Sequence, residues 1–204
     1  MKKIILLVLT ALSLFAFSKK VTLNENEKNA LLYMYEEEKL AKDVYSELGK
    51  MYPDIEIFNR IAGAEVRHEK SVENVLKHYN IPLPNRGESV GKFTNPHIQK
   101  LYDNLMAKGK KSIKDALEVG IMVEVTDIED LDKYLKQANA PDVKALFEFL
   151  RDGSYNHYNA FNFILKSTTG KTACELMDKR WCQDYPFQRG IGRKYMDWYW
   201  FSRR

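Results

Sequence analysis

Glu65 and His68 stand three residues apart in Ile61-Ala-Gly-Ala-Glu-Val-Arg-His-Glu-Lys-Ser-Val72. On a helix, that spacing puts a carboxylate and an imidazole on neighbouring turns of one face. Phe58, Ile61, Glu65, His68, Val72 and Val75 step by three and four throughout, so the two polar residues sit in a stripe that faces a core. Buried charge is unfavourable without a counter-charge, so these positions call for a partner or a metal ion. Three further apolar stripes are interrupted in the same way. Glu38 falls between Met34 and Ala41, Glu124 and Asp127 between Ile121 and Ile128, and His157 between Leu150 and Phe161. Four carboxylates with two imidazoles suit two divalent metal ions, iron first, with manganese or zinc as alternatives. Carboxylates bridge two cations and lower their repulsion, while neutral imidazoles bind terminally and leave room for peroxide or dioxygen.

Each piece alone is a weak signal. A single Glu-x-x-His pair occurs on many solvated helices, a lone His157 reads as a core histidine, and Glu124 with Asp127 could pair with Arg67 or Lys133. The reading rests on six such residues falling in four core stripes. A buried ion-pair cluster is the competing account, but no Lys or Arg lies in these stripes to supply the cations.

The elements that must position these residues are four long helices. The first is predicted from near Asn26 to about Lys50, capped by Asn24 or Asn26. Its inner stripe is Leu31, Met34, Glu38, Ala41 and Tyr45, with Glu36 and Glu37 expected in solvent. The second runs from about Ile55 to Tyr79. A connection from Asn80 to roughly Lys111 follows, with a short amphipathic piece at His97 to Ala107. At about 30 residues it is far longer than adjacent antiparallel helices need, and it can cross the height of a bundle. The third helix runs from Ser112, its cap, to Gln137. The fourth runs from Pro141 to Lys166 with Val143, Phe147, Leu150, Ser154, His157, Phe161 and Ile164 inward. The expected fold class is therefore all-α: a four-helix bundle with one long crossover between helices two and three and an irregular C-terminal extension.

Composition narrows the setting. Lys2 and Lys3 precede an apolar run of about fourteen residues, Ile4 to Phe17, and small residues follow, which is the pattern of a signal peptide over residues 1–18. The run is short for a membrane span, so an uncleaved anchor is the weaker alternative. The expected domains are then the leader, a bundle over 19–167 and a tail over 168–204, and the expected location is periplasmic or extracellular. Losing the two leader lysines takes the formal charge from +4 to +2, which gives no ground for nucleic-acid binding. Cys174 and Cys182 can pair in an oxidising compartment and close a short loop. The tail interleaves Trp181, Tyr185, Phe187, Tyr195, Trp198, Tyr199, Trp200 and Phe201 with Arg189, Arg193, Lys194, Arg203 and Arg204. Either its aromatics pack on the bundle or it meets a membrane surface or a partner.

Three stretches within about residues 27–166 carry a resemblance to the ferritin-like superfamily. The closest likeness is to rubrerythrin-related single-domain proteins and to an uncharacterised bacterial and archaeal family within the superfamily. Glu38-Lys-Leu-Ala-Lys-Asp-Val-Tyr45 resembles the first rubrerythrin helix, where a ligand Glu precedes a Tyr by seven residues. Glu65-Val-Arg-His68 resembles the second-helix pair, and Glu124-Val-Thr-Asp127 the third-helix carboxylates. The resemblance implies a dinuclear centre that reacts with peroxide or dioxygen. Tyr45 is then a donor that orients a carboxylate, or else a core tyrosine bonded elsewhere. Helix four departs from the pattern: Ser154-Tyr-Asn-His157 stands where a second Glu-x-x-His is expected, so one bridging carboxylate is missing. No rubredoxin-type cysteine pairs are present, so a reductase cycle needs an external electron donor. The expected function is a metal-dependent oxidoreductase of the cell envelope. The alternative is a non-catalytic metal-binding or structural bundle whose tail binds a partner or membrane surface. Ferritin-like chains also often form homodimers.

Overall fold

The computed structural model describes residues 22–85 and 89–185. The expected leader and the tail beyond Tyr185 lie outside them. The described residues are all-helical, without strands: α1 (Glu25–Met51), α2 (Ile57–His78), α3 (Pro96–Gly109), α4 (Ile113–Leu135), α5 (Pro141–Thr169) and the short α6 (Ala173–Leu176), followed by a 3-10 turn at Lys179–Trp181. No helix among them is long and apolar enough to cross a membrane.

The helix starts follow from their caps. Asn24, not Asn26, caps α1: its side chain accepts from Glu27 N at 3.0 Å, and Glu27 accepts in return from Asn24 N at 2.9 Å. The same Glu27 carboxylate also accepts from the backbone of Asn139 and Ala140, at 2.6 and 2.7 Å, and ties the start of α1 to the turn between α4 and α5. Ser112 caps α4, as its position predicts. Asn95 caps α3 with Pro96 in its first turn, so the helix within the connection is longer than the expected 97–107.

α1 packs along α2 and α4 along α5, and contacts of α2 with α5 and α1 with α4 join the two pairs. The apolar core falls into two clusters. One gathers Val44, Tyr45, Phe58, Ile61, Leu117, Ile121 and Phe161; the other gathers Leu31, Met34, Val72, Leu76, Leu131, Phe147 and Leu150. Along the sequence α1 and α5 run from the second cluster to the first, while α2 and α4 run from the first to the second. The long helices α2 and α4 thus point the same way, so the intervening chain must return along the bundle, and α3 lies in that return. Every candidate ligand falls between the two clusters, at mid-height on its helix.

One sequence expectation about α1 is corrected. Glu36 and Glu37 are buried, at 3% and 2% exposure, not solvated. The returning chain covers that side of α1: Glu36 accepts from the backbone N–H groups of Thr94 and Asn95 at 2.9 and 3.0 Å. A buried cation also exists on α1, although not in the stripe. Lys39 bonds Asp43 at 2.5 Å and the Ser89 carbonyl at 3.0 Å, and so pins the crossover rather than neutralising the ligands. Cys174 and Cys182 are disulfide-bonded, and Trp181 and Tyr185 pack against the first cluster. The described start of the tail therefore covers the bundle.

Candidate metal centre

Glu65 lies at the centre. Its Oε2 is 2.7 Å from His68 Nδ1 and its Oε1 is 2.8 Å from His157 Nδ1. Each imidazole has a second, more distant carboxylate: Glu38 at 3.4 Å from His68 and Glu124 at 3.6 Å from His157. The two rings stack with centroids 5.4 Å apart. Four helices thus build two similar lobes, Glu38–His68 and Glu124–His157, which share Glu65. One ligand atom each from Glu65, His68 and His157 lies within 4.8 Å of the others, which by itself is a seat for one ion. Lys133 does not pair with Glu124 or Asp127 here. Arg67 is exposed and bonds the Gly63 carbonyl, and Lys133 faces Asp130.

The residues around these lobes hold them in place. Tyr45, fully buried, donates to Glu124 Oε1 at 2.5 Å, as the donor reading expects. Asp127 does not approach either imidazole within ion-pair distance; its Oδ2 accepts from Ser154 Oγ, so the residue that replaces the expected helix-four carboxylate instead grips the extra carboxylate of α4. Gly153 gives His68 its room. A Cβ there would lie 2.5 Å from His68 Cε1 and 2.7 Å from Nε2. Gly153→Ala is therefore expected to displace the ring and lower stability by about 1–3 kcal/mol, where a helix-interior Gly→Ala usually stabilises. Calorimetry and metal content of the variant check this; a higher melting temperature with full metal content would contradict it.

The fit to a cation rests on the buried atoms left without hydrogen bonds. His68 Nδ1, His157 Nδ1, Glu38 Oε1 and Asp127 Oδ1 have none, although carboxylate oxygens lie close to both nitrogens. Polar atoms that converge in a buried space without well-aligned hydrogen bonds suit a shared cation, which would displace the imidazole protons. Electrostatics agree. Burial pulls both imidazoles down, but Glu65 with Glu38 holds His68 well above the usual range, and Glu65 with Glu124 raises His157 to about 10. Burial pushes Glu65 up, yet His157 and His68 outweigh it and leave it below the usual carboxylate range. Burial raises Glu38 to about 7 and also raises Glu124 and Asp127. Without metal the imidazolium protons offset the carboxylates, and a divalent cation would take over that task.

Sequence reasoning missed Glu37. It is buried beside Glu38, its two oxygens have no hydrogen-bond partner among the described residues, and Asp127 and Asp130 act on it as like charges. Its signal was weak: it lies off the apolar stripe, and only the unbroken burial of α1 from Met34 to Ala41 reveals it.

Residues 27–179 match the family model of an uncharacterized protein domain, DUF2202. The uncharacterized protein MJ0754 of Methanocaldococcus jannaschii is 44% identical over 148 residues, which cover 72% of this chain and 80% of that protein. The crystal structure of the hypothetical protein MJ0754 from Methanococcus jannaschii aligns with a TM-score of 0.73 at 38% identity, covering 82% of this chain and 98% of that one. The matched span includes all six candidate ligands.

Proposed function

The chain belongs to the DUF2202 family, and we propose that it is a ferritin-like, rubrerythrin-related bundle that holds two divalent metal ions, iron first, and acts as an oxidoreductase on peroxide or dioxygen. One observation carries the reading: the two oxygens of buried Glu65 serve two different histidines, each with its own second carboxylate. Glu65 would serve both ions, Glu38 and Glu124 would each add a carboxylate, His68 and His157 would each add an imidazole, and Asp127 would be a reserve carboxylate on the Ser154 side. The parallel course of α2 and α4, joined by a long return, supports the ferritin-like topology.

Bound iron would supply electrons to the oxidant; with peroxide, two electrons and two protons give two waters. The chain's own part is positional. Tyr45 fixes Glu124, Gly153 admits the His68 ring, and the two apolar clusters keep water from both ends of the site. The absence of rubredoxin-type cysteines in the sequence leaves re-reduction to an external donor. Anaerobic loading with ferrous iron followed by peroxide is expected to give oxidation faster than free iron under the same conditions. Oxidation no faster than free iron, in a chain that holds two irons, would overturn the catalytic role.

A second reading has its own support. Glu65, His68 and His157 alone make a compact seat for one ion, and Ser154 withholds the second bridge. In that case a single zinc would stabilise the bundle. Metal content per chain, measured on protein purified without added metal, separates one tight ion from two. Export to the envelope, a homodimer, and tail contact with a membrane surface or partner complete the proposal.

A further inference from the structure

Glu37 is 2% exposed, and both of its carboxylate oxygens lack a hydrogen-bond partner among the described residues. Such a group is unfavourable unless something else supplies positive charge. Its neighbours do not. Asp127, Asp130 and Glu38 act on it as like charges, and the Lys133 side chain, which opposes them, is 61% exposed and stands 3.9 Å from Asp130. Asp127 and Asp130 are one helical turn apart on α4, opposite Glu37 on α1. These carboxylates form a ladder with distinct ends. Inside, Asp127 is joined to Ser154 and borders Glu38. Outside, Asp130 is partly exposed and is faced by Tyr33 and Lys133. Tyr33, Lys133 and Tyr134 also form part of the wall of a cavity of about 640 Å³ between α1, α4 and the start of α3.

The geometry points to a transit path for divalent cations, from this cavity past Asp130 to Glu37 and then to Asp127 and the metal centre. Glu37 is a way-station: an unpaired carboxylate that holds the ion briefly and releases it to ligands with imidazoles. The ion stays divalent throughout and no bond chemistry occurs. The inference rests on the metal-centre reading but concerns residues outside its ligand set. It also gives a use to a buried carboxyl that the centre does not need.

Stopped-flow loading of the full chain with cobalt(II), followed by its visible absorbance, tests the path. Glu37→Gln keeps the shape and removes the carboxyl group that could bind a cation. It is expected to slow loading on the order of tenfold with the final cobalt content unchanged, and Asp130→Asn, at a partly exposed position, on the order of threefold. A Glu37→Gln rate equal to that of the native chain would overturn the path while leaving the centre intact. A reduced final content would overturn it differently, because Glu37 would then be a ligand. A native chain that takes up no cobalt would remove both the centre and the path.

Discussion

Glu65→Gln is expected to abolish metal uptake under conditions that saturate the native chain. Among the described residues, Glu65 is the only carboxylate within 3 Å of both imidazoles, at 2.7 and 2.8 Å. A neutral amide cannot bridge two cations: its oxygen is a weak ligand and its NH₂ offers hydrogens where an oxygen is needed. Loss of an outer group typically weakens metal binding by about 10–100-fold. Removal of a shared ligand should exceed that, with affinity falling by at least about 100-fold at both positions. The single-lobe variants supply the contrast. Glu38 approaches only His68 and Glu124 only His157. Glu38→Gln and Glu124→Gln should each lose one equivalent and keep the other. Cobalt titration and elemental analysis after dialysis read all three variants. If Glu38→Gln and Glu124→Gln both keep the native metal content, the compact seat of Glu65, His68 and His157 holds a single ion and the two-lobe account fails.

The parts of this site that were legible in the sequence are those that obey local geometry. Spacings of three and four placed Glu38, Glu65, His68, Glu124, Asp127 and His157 on inner faces, and all six lie between the two apolar clusters. The length of the chain between α2 and α4 foretold a return along the bundle because no short loop joins two parallel helices. What was not legible depends on segments far apart in sequence. Glu36 looks solvated on a single helix; it is buried because Thr94 and Asn95, nearly sixty residues away, bring their N–H groups to it. Glu37 is hidden for a related reason: α4 closes over a side of α1 that carries no apolar stripe. Ser154 read only as a missing carboxylate, since nothing in its own helix could show that its hydroxyl reaches Asp127 across to α4. Periodicity therefore finds one covered face per helix, whereas α1 has three.

Removing the metal should make the protein lose stability as pH rises, and restoring it should cancel that trend. Glu38 has an ordinary value of 4.5 and is raised to about 7 by burial, so the native chain keeps a proton that the unfolded chain releases. Stability then falls as pH rises between those values. His157 rises from 6.5 to about 10 through Glu65 and Glu124, against the effect of burial. Its contribution is complete below pH 6.5 and is lost as pH climbs toward 10. Glu65, which is depressed, contributes above 4.5 and is lost only as pH falls through its lowered value, so it is constant over this range. The two raised groups therefore act in the same direction. Glu38 alone corresponds to about 2 kcal/mol between pH 5.5 and 8.5, enough to lower the melting temperature by roughly 5 °C in a chain of this size. Metal ions bind the deprotonated forms and displace these protons, so their affinity grows as pH rises. The loaded protein should hold its melting temperature level or gain over the same interval, and the gap between loaded and metal-free protein should widen toward pH 8.5. Differential scanning calorimetry at three pH values, on chelator-treated and reloaded samples, measures both curves. A metal-free melting temperature that rises from pH 5.5 to 8.5 would mean that the buried carboxylates and imidazoles do not hold the protons assigned to them here.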